Sequence, residues 1–351
     1  MDPVRIGIIG CGVMGNHHAD YAAQLDNVDL VAVADTRPDA AQRLARDHNL
    51  DTFYASAQDL IDDGRIEAVI LALPAGVRFQ PARRALEAGK HVLLEKPPAM
   101  NVAQLEELAV LRLDRVVACC SSRFRFLPSA AVAADVLARN GLGPLRLVNC
   151  RASTPLGPPP QNPPPPWRVS RKLNGGGILV NWGVYDLDYL LGIAGWSLRP
   201  KTVLARTWPV APAFARYVAP ESDAETHVVA TILCENHVAI QFERGEFIPA
   251  VAAGSWQFTG ETGALRLSMS PAEDDRLIHD FVATEKGVQT RVLYDGKCDW
   301  DTLHRAVLKD FAEAIRTGRP PKTSLENTIQ LQRMFDAIYR SAETQVAVDL
   351  P

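Results

Sequence analysis

The first third of the chain alternates short apolar runs with amphipathic stretches. Almost continuous Val, Ile, Leu and Ala, typical of strands buried on both faces, occupy residues 5–9, 30–34, 68–73, 91–94 and 116–120. Helical patterns lie between them, at residues 19–25, 40–48, 81–88 and 102–110. This alternation is typical of βαβ units. It predicts an α/β fold in which residues 1–121 form a Rossmann domain with a doubly wound parallel sheet.

The pattern changes after residue 121. A helix is expected at residues 130–139 and a strand at 145–150, and β-forming segments then flank short turns at 226–242 and 255–268. Apolar residues at helical spacing predict two more helices, around residues 303–315 and 331–338, before a terminal strand at 346–350. We therefore expect residues 122–351 to form an α+β domain with a large, mainly antiparallel open sheet.

A proline-rich segment, residues 155–166, lies within this second domain. So many prolines remove backbone donors and exclude a helix interior or a central strand. The segment is either a simple linker or an ordered arm over the active site. We favour the arm because the segment runs directly into Trp167-Arg168 and a glycine-rich helix start.

Composition narrows the class of protein further. The net charge of −4 gives no electrostatic reason to expect nucleic acid or an anionic membrane as a partner. No apolar run approaches the ~20 residues that a membrane helix needs, and no basic leader precedes the first strand, so a cytoplasmic location is expected. The six cysteines lack zinc-ligand spacing, so no metal is expected.

A glycine-rich loop follows the first predicted strand. Gly10, Gly12 and Gly15 form a GxGxxG motif between that strand and the first helix. In a dinucleotide-binding turn these glycines permit the tight bend, the close approach of the pyrophosphate and the packing of helix on strand. The N-terminus of the helix then faces the pyrophosphate.

A carboxylate stands where such a fold binds the adenosine ribose. Asp35 lies twenty residues beyond Gly15, at the end of the second predicted strand. It would accept hydrogen bonds from the ribose hydroxyls and repel a 2′-phosphate. Arg37 favours the opposite outcome, because a guanidinium can pair with phosphate or stack on adenine. The sequence therefore predicts NAD as the cofactor, with NADP as the alternative.

Four further motifs resemble those of the Gfo/Idh/MocA oxidoreductases, and the resemblance covers nearly the whole chain. They are Glu95-Lys96-Pro97 (EKP), Arg125-Phe126-Leu127-Pro128 (RFxP), Trp167-Arg168 (WR) and Gly175-Gly176-Gly177, which opens GGGxLxDxGxHxxD. Members include glucose–fructose oxidoreductase and inositol and sugar dehydrogenases. The loop and the resemblance together predict these cofactor-binding residues: Gly10, Cys11, Gly12, Val13, Met14, Gly15, Asp35, Thr36, Arg37, Leu73, Pro74, Glu95, Lys96, Trp167 and Arg168.

The expected catalytic residues are Lys96, Tyr185 and Asn181. Lys96 follows a Rossmann strand, at the carboxyl end where ligands of doubly wound sheets bind, and it could hold or move the proton of a reacting hydroxyl. The family usually has Asp and His where this chain has Asn181 and Tyr185, although the Tyr variant also occurs in it, in glucose–fructose oxidoreductase and dihydrodiol dehydrogenase. A phenol can serve as acid or base, whereas an amide can only orient a hydroxyl. Helical spacing predicts that Asn181, Tyr185 and Asp188 share one face.

Substrate contacts are expected from Lys96, Arg78, Arg125, Asn181 and Tyr185. Arg78 stands where the family often has His in TPxxxH. It either points into the cleft, where it would suit a carboxylate or an oxygen-rich substrate, or it is solvated surface. Tyr185 could instead be a core aromatic residue.

Together these features predict hydride transfer between NAD(P) and a hydroxyl-bearing carbon of a sugar, polyol or related carbohydrate. One alternative keeps the cofactor bound during a redox-assisted elimination, as in the related glycosidases. Another is a non-redox NAD-binding regulator, which Asn181 and Arg78 make worth considering. The resemblance also implies a homodimer or homotetramer formed through the sheet of the second domain.

Overall fold

The computed structural model describes residues 2–162, 165–251, 253–269, 275–283 and 285–350. The chain divides into two compact units, one comprising Met1–Arg123 with Trp300–Ile329 and the other Phe124–Asp299 with Gln330–Pro351. The sequence-based boundary at residues 121 and 122 lies two residues from the first division. It also assigns residues 300–329 to the second domain, whereas the structure groups them with the first unit. Within the predicted arm, Pro163 and Pro164 lie outside the described residues.

Helices and strands alternate through the first part of the chain, and strands predominate later. In chain order they are β1 (Val4–Ile9), α1 (Val13–Ala22), β2 (Val28–Ala34), α2 (Pro38–Asp47), β3 (Phe53–Tyr54), α3 (Ala57–Asp62), β4 (Ala68–Leu71), α4 (Ala75–Glu87), β5 (His91–Leu94), α5 (Val102–Leu111), β6 (Val117–Cys119), α6 (Pro128–Ala138), β7 (Leu145–Pro155), α7 (Arg171–Asn174), α8 (Val184–Ile193), β8 (Pro200–Pro209), β9 (Glu225–Cys234), β10 (Ala239–Ile248), β11 (Ala253–Gly260), β12 (Gly263–Leu267), β13 (Asp275–Ala283), β14 (Gly287–Gly296), α9 (Trp300–Thr317), α10 (Leu325–Thr344) and β15 (Val348–Asp349). A π-helix (Leu179–Gly183) precedes α8.

The first unit is built on a parallel sheet. Within the described ranges it has six strands, in the order β3-β2-β1-β4-β5-β6, and every neighbouring pair is parallel. This is the Rossmann order, in which the direction of winding reverses between β1 and β4. The carboxyl ends of those two strands therefore flank the crevice where doubly wound sheets bind nucleotides.

Helix α9 belongs to this unit because it packs on elements of the parallel sheet's layer. It buries one face, which includes Leu303, Val307 and Phe311, and it packs on α1 and β1. Leu325, at the start of α10, is also buried in the core of the same unit. A pattern read along the chain identifies such a helix, but it does not identify the unit on which the helix packs.

The second unit contains a larger sheet. In the part of the chain that the structure describes, nine strands lie in the order β14-β13-β12-β11-β7-β10-β9-β8-β15. Strands β7 and β10 are parallel, and the other neighbours are antiparallel. The predicted fold class, a Rossmann sheet followed by an α+β domain with a mainly antiparallel sheet, is therefore confirmed. The sequence prediction missed β3, α3, β8, β13 and β14, and it started α1 and α4 six residues too late.

The partly buried carboxylate of Glu67 links α9 to the amino ends of the parallel strands. Glu67 accepts hydrogen bonds from the Arg5 backbone N–H (3.1 Å) and from both terminal nitrogens of Arg316 (2.9 and 3.0 Å). The Arg316 hydrogen bonds are the largest cause that lowers the pKa of Glu67 to about 2. Since the folded pKa lies below the unfolded value, the ionised carboxylate stabilises the fold above pH ~4.3, and this stabilisation is lost as the pH falls towards 2.

We predict that Glu67→Gln lowers the free energy of unfolding at pH 7 by about 1–3 kcal/mol, because the guanidinium groups of Arg316 and of Arg5, whose Nε also donates to Glu67 at 3.1 Å, lose a charged acceptor. The deficit should be smaller near pH 3.5. At that pH the Glu67 carboxyl group is largely protonated in the unfolded chain and still ionised in the folded protein, so part of its stabilising effect is already lost. Urea unfolding at both pH values measures the deficit. Glu87→Gln, at an exposed helical pair with Arg83, is the control. An equal deficit at the two pH values would contradict the prediction.

Candidate functional site

The loop between β1 and α1 contains two glycines that the protein itself requires and one that it does not. Gly10 has a φ of +102°, and a Cβ on it would lie 2.4 Å from the carbonyl oxygen of Ala72. A Cβ on Gly15 would lie 1.9 Å from the carbonyl oxygen of Gly10. A Cβ on Gly12 would meet no described atom within 4 Å. Gly12 therefore borders open space rather than packed protein.

Helix α1 begins at this open space. Gly12 is its N-cap residue, and the side chain of Val13, its first residue, is 76% exposed. The backbone N–H groups and the positive dipole end of a helix N-terminus favour a bound phosphate. The loop thus has the room and the donors that the pyrophosphate of a dinucleotide needs. Met14, also predicted to contact the cofactor, is half-buried.

Asp35 lies at the carboxyl end of β2. Its carboxylate accepts hydrogen bonds from the backbone N–H groups of Cys11 (2.8 Å) and Arg37 (2.9 Å), and from the Arg37 Nε (3.2 Å). Burial raises the Asp35 pKa, but these hydrogen bonds outweigh it and leave the pKa below its usual value. The ionised carboxylate is therefore fixed beside the glycine loop, and Thr36 and Arg37 next to it are exposed. Burial raises the pKa of the Cys11 thiol to about 12, so this thiol stays protonated.

The segments after β4 and β5 carry the other predicted residues of the first unit. Leu73 and Pro74 follow β4 and are half-buried, and Pro74 is the N-cap of α4. Glu95 and Lys96 follow β5, where the Lys96–Pro97 bond is cis. Lys96 is half-buried, and its backbone N–H donates to the Glu95 carboxylate at 3.1 Å. Lys96 thus lies at the carboxyl edge of the parallel sheet, as predicted.

A buried histidine supports Glu95, a contact that the sequence prediction missed. The Nε2 atom of His18, on α1, lies 2.9 Å from a carboxylate oxygen of Glu95, and both side chains are 4% exposed. Burial raises the Glu95 pKa, but the hydrogen bond and charge of His18 lower it well below its usual range. Glu95 is therefore a buried carboxylate that stays ionised.

Cys120 joins this pair, and the ligand atoms of His18, Glu95 and Cys120 lie within 4.8 Å of one another. Metal binding to cysteine requires a thiolate. Burial and the negative charge of Glu95 raise the pKa of the Cys120 thiol well above its usual value. The hydrogen bond between His18 and Glu95 already accounts for the arrangement. The prediction of no metal stays a prediction.

In the second unit, packing accounts for the glycine run. Gly175 has a φ of +80° at the end of α7. A Cβ on Gly176 would lie 1.8 Å from the Tyr339 Oη, and a Cβ on Gly177 would lie 1.8 Å from the Glu225 carbonyl oxygen. The Glu225 carboxylate accepts hydrogen bonds from the N–H of Gly177 (3.0 Å) and from the Tyr339 hydroxyl (2.9 Å). A buried carboxylate thus caps the π-helix, and it can do so only because the glycines allow its close approach.

Asn181 lies within the π-helix and is 3% exposed. Its Nδ2 atom donates to the carbonyl oxygen of Arg168 at 2.8 Å, and its Oδ1 atom accepts from the Nδ2 of Asn174 at 3.2 Å. The amide therefore ties the predicted WR segment to the glycine-rich helix start. Its predicted catalytic role stays a prediction, and these contacts give it a structural role in addition.

Tyr185 follows on α8 and is 2% exposed. Its ring packs edge-on against Phe124 and Trp182, with centroids 5.2 and 5.7 Å away. The prediction that Asn181, Tyr185 and Asp188 share one face assumed a continuous α-helix. The π-helix before α8 has a wider turn, so the spacing of 3.6 residues does not hold between residues 181 and 185. π-Helical turns of this kind often lie at functional sites.

Two predicted arginines of this unit form ion pairs. Arg125, 8% exposed, donates from its Nε to Asp188 at 2.5 Å, and Gly192 leaves room for its side chain. Arg168 donates to Glu246 at 2.8 Å, whereas Trp167 beside it is 40% exposed. Asp188 is therefore the ion-pair partner of Arg125, and the substrate contact predicted for Arg125 stays a prediction.

Arg78 is a buried residue, and the substrate contact predicted for it stays a prediction. It is 2% exposed, so it is not solvated surface, and its guanidinium donates to main-chain carbonyl oxygens of its own unit. The helical pattern of α4 could not show this, because the acceptors lie on other segments of the chain.

A polar cluster beneath the second sheet also escaped sequence prediction. The Asp186 carboxylate accepts from the Trp256 Nε1 at 2.9 Å and lies 3.4 Å from an Arg244 terminal nitrogen. The Arg244 guanidinium lies 4.9 Å from the centre of the Trp182 ring. Burial raises the pKa of Asp186. Its members come from α8, β10, β11 and the π-helix, so only the strand order brings them together.

Comparisons with known proteins agree with this geometry. Residues 4–119 match a family model described as an oxidoreductase family with an NAD-binding Rossmann fold, and residues 135–350 match that family's C-terminal alpha/beta domain. D-Glucoside 3-dehydrogenase of Escherichia coli is 30% identical over 99% of this chain and 98% of its own length. D-Xylose 1-dehydrogenase (NADP(+)) 2 of Haloferax volcanii is 25% identical over 99% and 100%. A levoglucosan dehydrogenase solved with NADH has a TM-score of 0.85 at 21% identity, over 99% of each chain.

Among the residues that the structure describes, none of the helices combines the length and the apolar character needed to span a membrane.

The glycine loop gives a prediction that separates folding from cofactor binding. Gly15→Ala should lower the melting temperature, because its Cβ would overlap the Gly10 carbonyl oxygen. Gly12→Ala should fold normally, since its φ of −82° suits alanine and its Cβ meets open space. It should bind NADH weakly, because we expect the pyrophosphate to occupy that space. Thermal melts and calorimetric titration with NADH measure both effects. Tight NADH binding by Gly12→Ala would place the pyrophosphate elsewhere.

The Asn181 contacts give a second prediction. Asn181→Asp should cost about 1–3 kcal/mol of stability, because a carboxylate would replace the donor that faces the Arg168 carbonyl. Asn101→Asp is the matched control: the Asn101 amide only accepts, from the N–H of Gln104, at the N-cap of α5, and aspartate caps helices equally well. Urea unfolding compares the two variants. Equal stability of Asn181→Asp and wild type would show that the Asn181 contacts are unimportant for folding.

Proposed function

Because this chain belongs to the Gfo/Idh/MocA oxidoreductase family, we propose that it transfers a hydride between NAD and a hydroxyl-bearing carbon of a sugar, polyol or related carbohydrate. The observation that carries the proposal is the position of Lys96: it lies at the carboxyl end of β5, directly after the buried and ionised Glu95. The relatives named as D-glucoside and D-xylose dehydrogenases support a carbohydrate as the substrate.

The glycine loop and Asp35 are the residues that would hold the cofactor. The open space at Gly12 suits the pyrophosphate, and the Asp35 carboxylate would accept hydrogen bonds from the ribose hydroxyls. When bound, the nicotinamide supplies the hydride acceptor. Arg37 already donates to Asp35, so in this arrangement its charge supports the carboxylate. We therefore propose a preference for NAD over NADP.

The remaining chemistry is the transfer of one proton. In the oxidation direction the substrate hydroxyl gives up its proton as the C–H bond breaks, and we propose that the Lys96 Nζ or the Tyr185 Oη accepts it. Both groups can hold a proton reversibly, whereas the amide of Asn181 cannot. Arg78 and Arg125 would contribute by holding neighbouring residues in place: Arg78 donates to main-chain carbonyl oxygens after β4 and β5, and Arg125 pairs with Asp188.

The open face of the second sheet supports the proposed homo-oligomer. Outward side chains of β8 and β9 include Leu204, Trp208, Val229 and Leu233, which are 48%, 46%, 36% and 50% exposed. The register pairs Trp208 with His227 and the neighbouring Arg206 with Val229, so these side chains share one face. An exposed sheet face that carries several large apolar side chains suits burial against a second copy of the chain.

A panel of sugars, inositols and sugar acids tests the function. Each compound is incubated with NAD or NADP, and the absorbance of reduced nicotinamide is followed. We expect oxidation of a carbohydrate, and faster oxidation with NAD. Product formation without net nicotinamide reduction would indicate an enzyme that retains and recycles its cofactor. Tight NAD binding without any turnover would indicate a regulator.

Two substitutions test the proton transfer on the substrate that the panel identifies. Lys96→Ala should abolish turnover, and Tyr185→Phe should lower kcat by about 10²–10⁴, the range for a lost general acid–base group. Both should still bind NADH, because the glycine loop is unchanged. Tyr189→Phe is the control, since that hydroxyl donates to the Ser268 carbonyl oxygen. Wild-type turnover by Tyr185→Phe would assign its ring to packing alone.

A further inference from the structure

Arg78 binds the main chain on both sides of Lys96. Its NH1 atom donates to the carbonyl oxygen of Glu95 at 2.5 Å and also to that of Pro97. Its NH2 atom donates to the carbonyl oxygen of Leu73, after β4. One guanidinium from α4 therefore holds the segments that follow two neighbouring strands of the parallel sheet.

The planar shape of the guanidinium is what makes this arrangement workable. Strands β4 and β5 are buried, and the carbonyl groups just beyond them need donors in surroundings with little water. Arginine presents several N–H groups in a rigid fork, whereas a lysine ammonium is a single point donor. Although burial lowers the Arg78 pKa to about 10, the side chain remains charged at neutral pH.

Burying this charge is costly, because no carboxylate within the described residues makes a hydrogen bond to it. The acceptors that hold it are main-chain carbonyl oxygens, and the charge of Glu95 offsets its burial only from a distance. A guanidinium held in this way stabilises the fold less than a buried ion pair would. Its acceptors, however, flank the one lysine on which the proposed reaction depends.

We propose that Arg78 is a positioning residue for the reaction: it fixes the backbone of residues 95–97 and thereby the place of the Lys96 ammonium group. The inference rests on the proposed function of Lys96. A misplacement of about 1 Å in a reacting group can cost about 100-fold in rate. A purely structural role would instead lower stability and cofactor binding together and leave kcat of the folded fraction unchanged.

The experiment compares Arg78→Lys, Arg78→Met and Arg78→Gly with the control Arg83→Met. Arg83 lies on the same helix, but its side chain is 43% exposed and pairs with Glu87. For each soluble, folded variant, kcat, KM, NADH affinity and melting temperature are measured. We expect kcat to fall by about 100-fold in Arg78→Met, with NADH affinity close to wild type, and to fall less in Arg78→Lys. Millimolar guanidinium should restore part of the kcat lost in Arg78→Gly and leave Arg83→Met unchanged.

A second measurement does not depend on turnover. Hydrogen exchange of the amides of Leu94, Glu95, Lys96 and Ala99, the residues of segment 94–99 that have an N–H, should accelerate in Arg78→Met. It should slow again in Arg78→Gly when guanidinium is added, while exchange in α10 stays unchanged. If wild type oxidises no substrate, the proposed function fails and the exchange result alone decides the role of Arg78. Wild-type kcat in Arg78→Met, or exchange that is unchanged at residues 94–99, would overturn the inference.

Discussion

In the first unit, three buried parallel strands end next to one another. The polar groups at those ends must all find partners, and the rest of the unit depends on this constraint. Strands β1, β4 and β5 are neighbours, and the chain leaves each of them at the same edge of the sheet. The polar groups at that edge need partners, because an unpaired buried donor or acceptor costs about 1–3 kcal/mol. Arg78 donates hydrogen bonds to carbonyl oxygens after β4 and β5, and His18 forms a hydrogen bond with the carboxylate of Glu95. The proposed proton-transfer residue thus stands on a segment that folding itself makes rigid.

The second unit meets a similar constraint with different residues. A helix start buried beside a sheet needs an acceptor for its first N–H groups, and Glu225 provides it at Gly177. The carboxylate can reach those groups only where side chains are absent, which explains the glycine run without invoking a ligand. The same turn winds as a π-helix and holds Asn181 against the Arg168 carbonyl. In both units, then, part of a family motif is required by folding before any substrate binds.

Sequence periodicity predicted the Rossmann sheet because its strands other than β3 are mostly apolar and buried. The glycine loop and Asp35 were predictable for a related reason: their spacing is local. The contact of His18 with Glu95 joins residues 77 positions apart, and no local pattern reports such a pairing. Strand β14 is largely exposed, and charged residues interrupt the apolar ones in both β13 and β14, so their pattern lacks an apolar alternation. The sequence prediction began a helix at Pro81, because proline is common at a helix start. In the structure Pro81 lies inside α4, which begins six residues earlier.

The two departures from the family pattern, Arg78 and Asn181, have the same physical consequence. Each places a side-chain donor on main-chain carbonyl oxygens, at Glu95 and Pro97 for Arg78 and at Arg168 for Asn181. A donor committed to the main chain orients a segment, and neither a charged guanidinium nor an amide exchanges protons readily near neutral pH. The ability to exchange a proton therefore remains with Lys96 and Tyr185. For this reason we regard the two departures as changes in how the site is held, which leave the proposed hydride transfer in place.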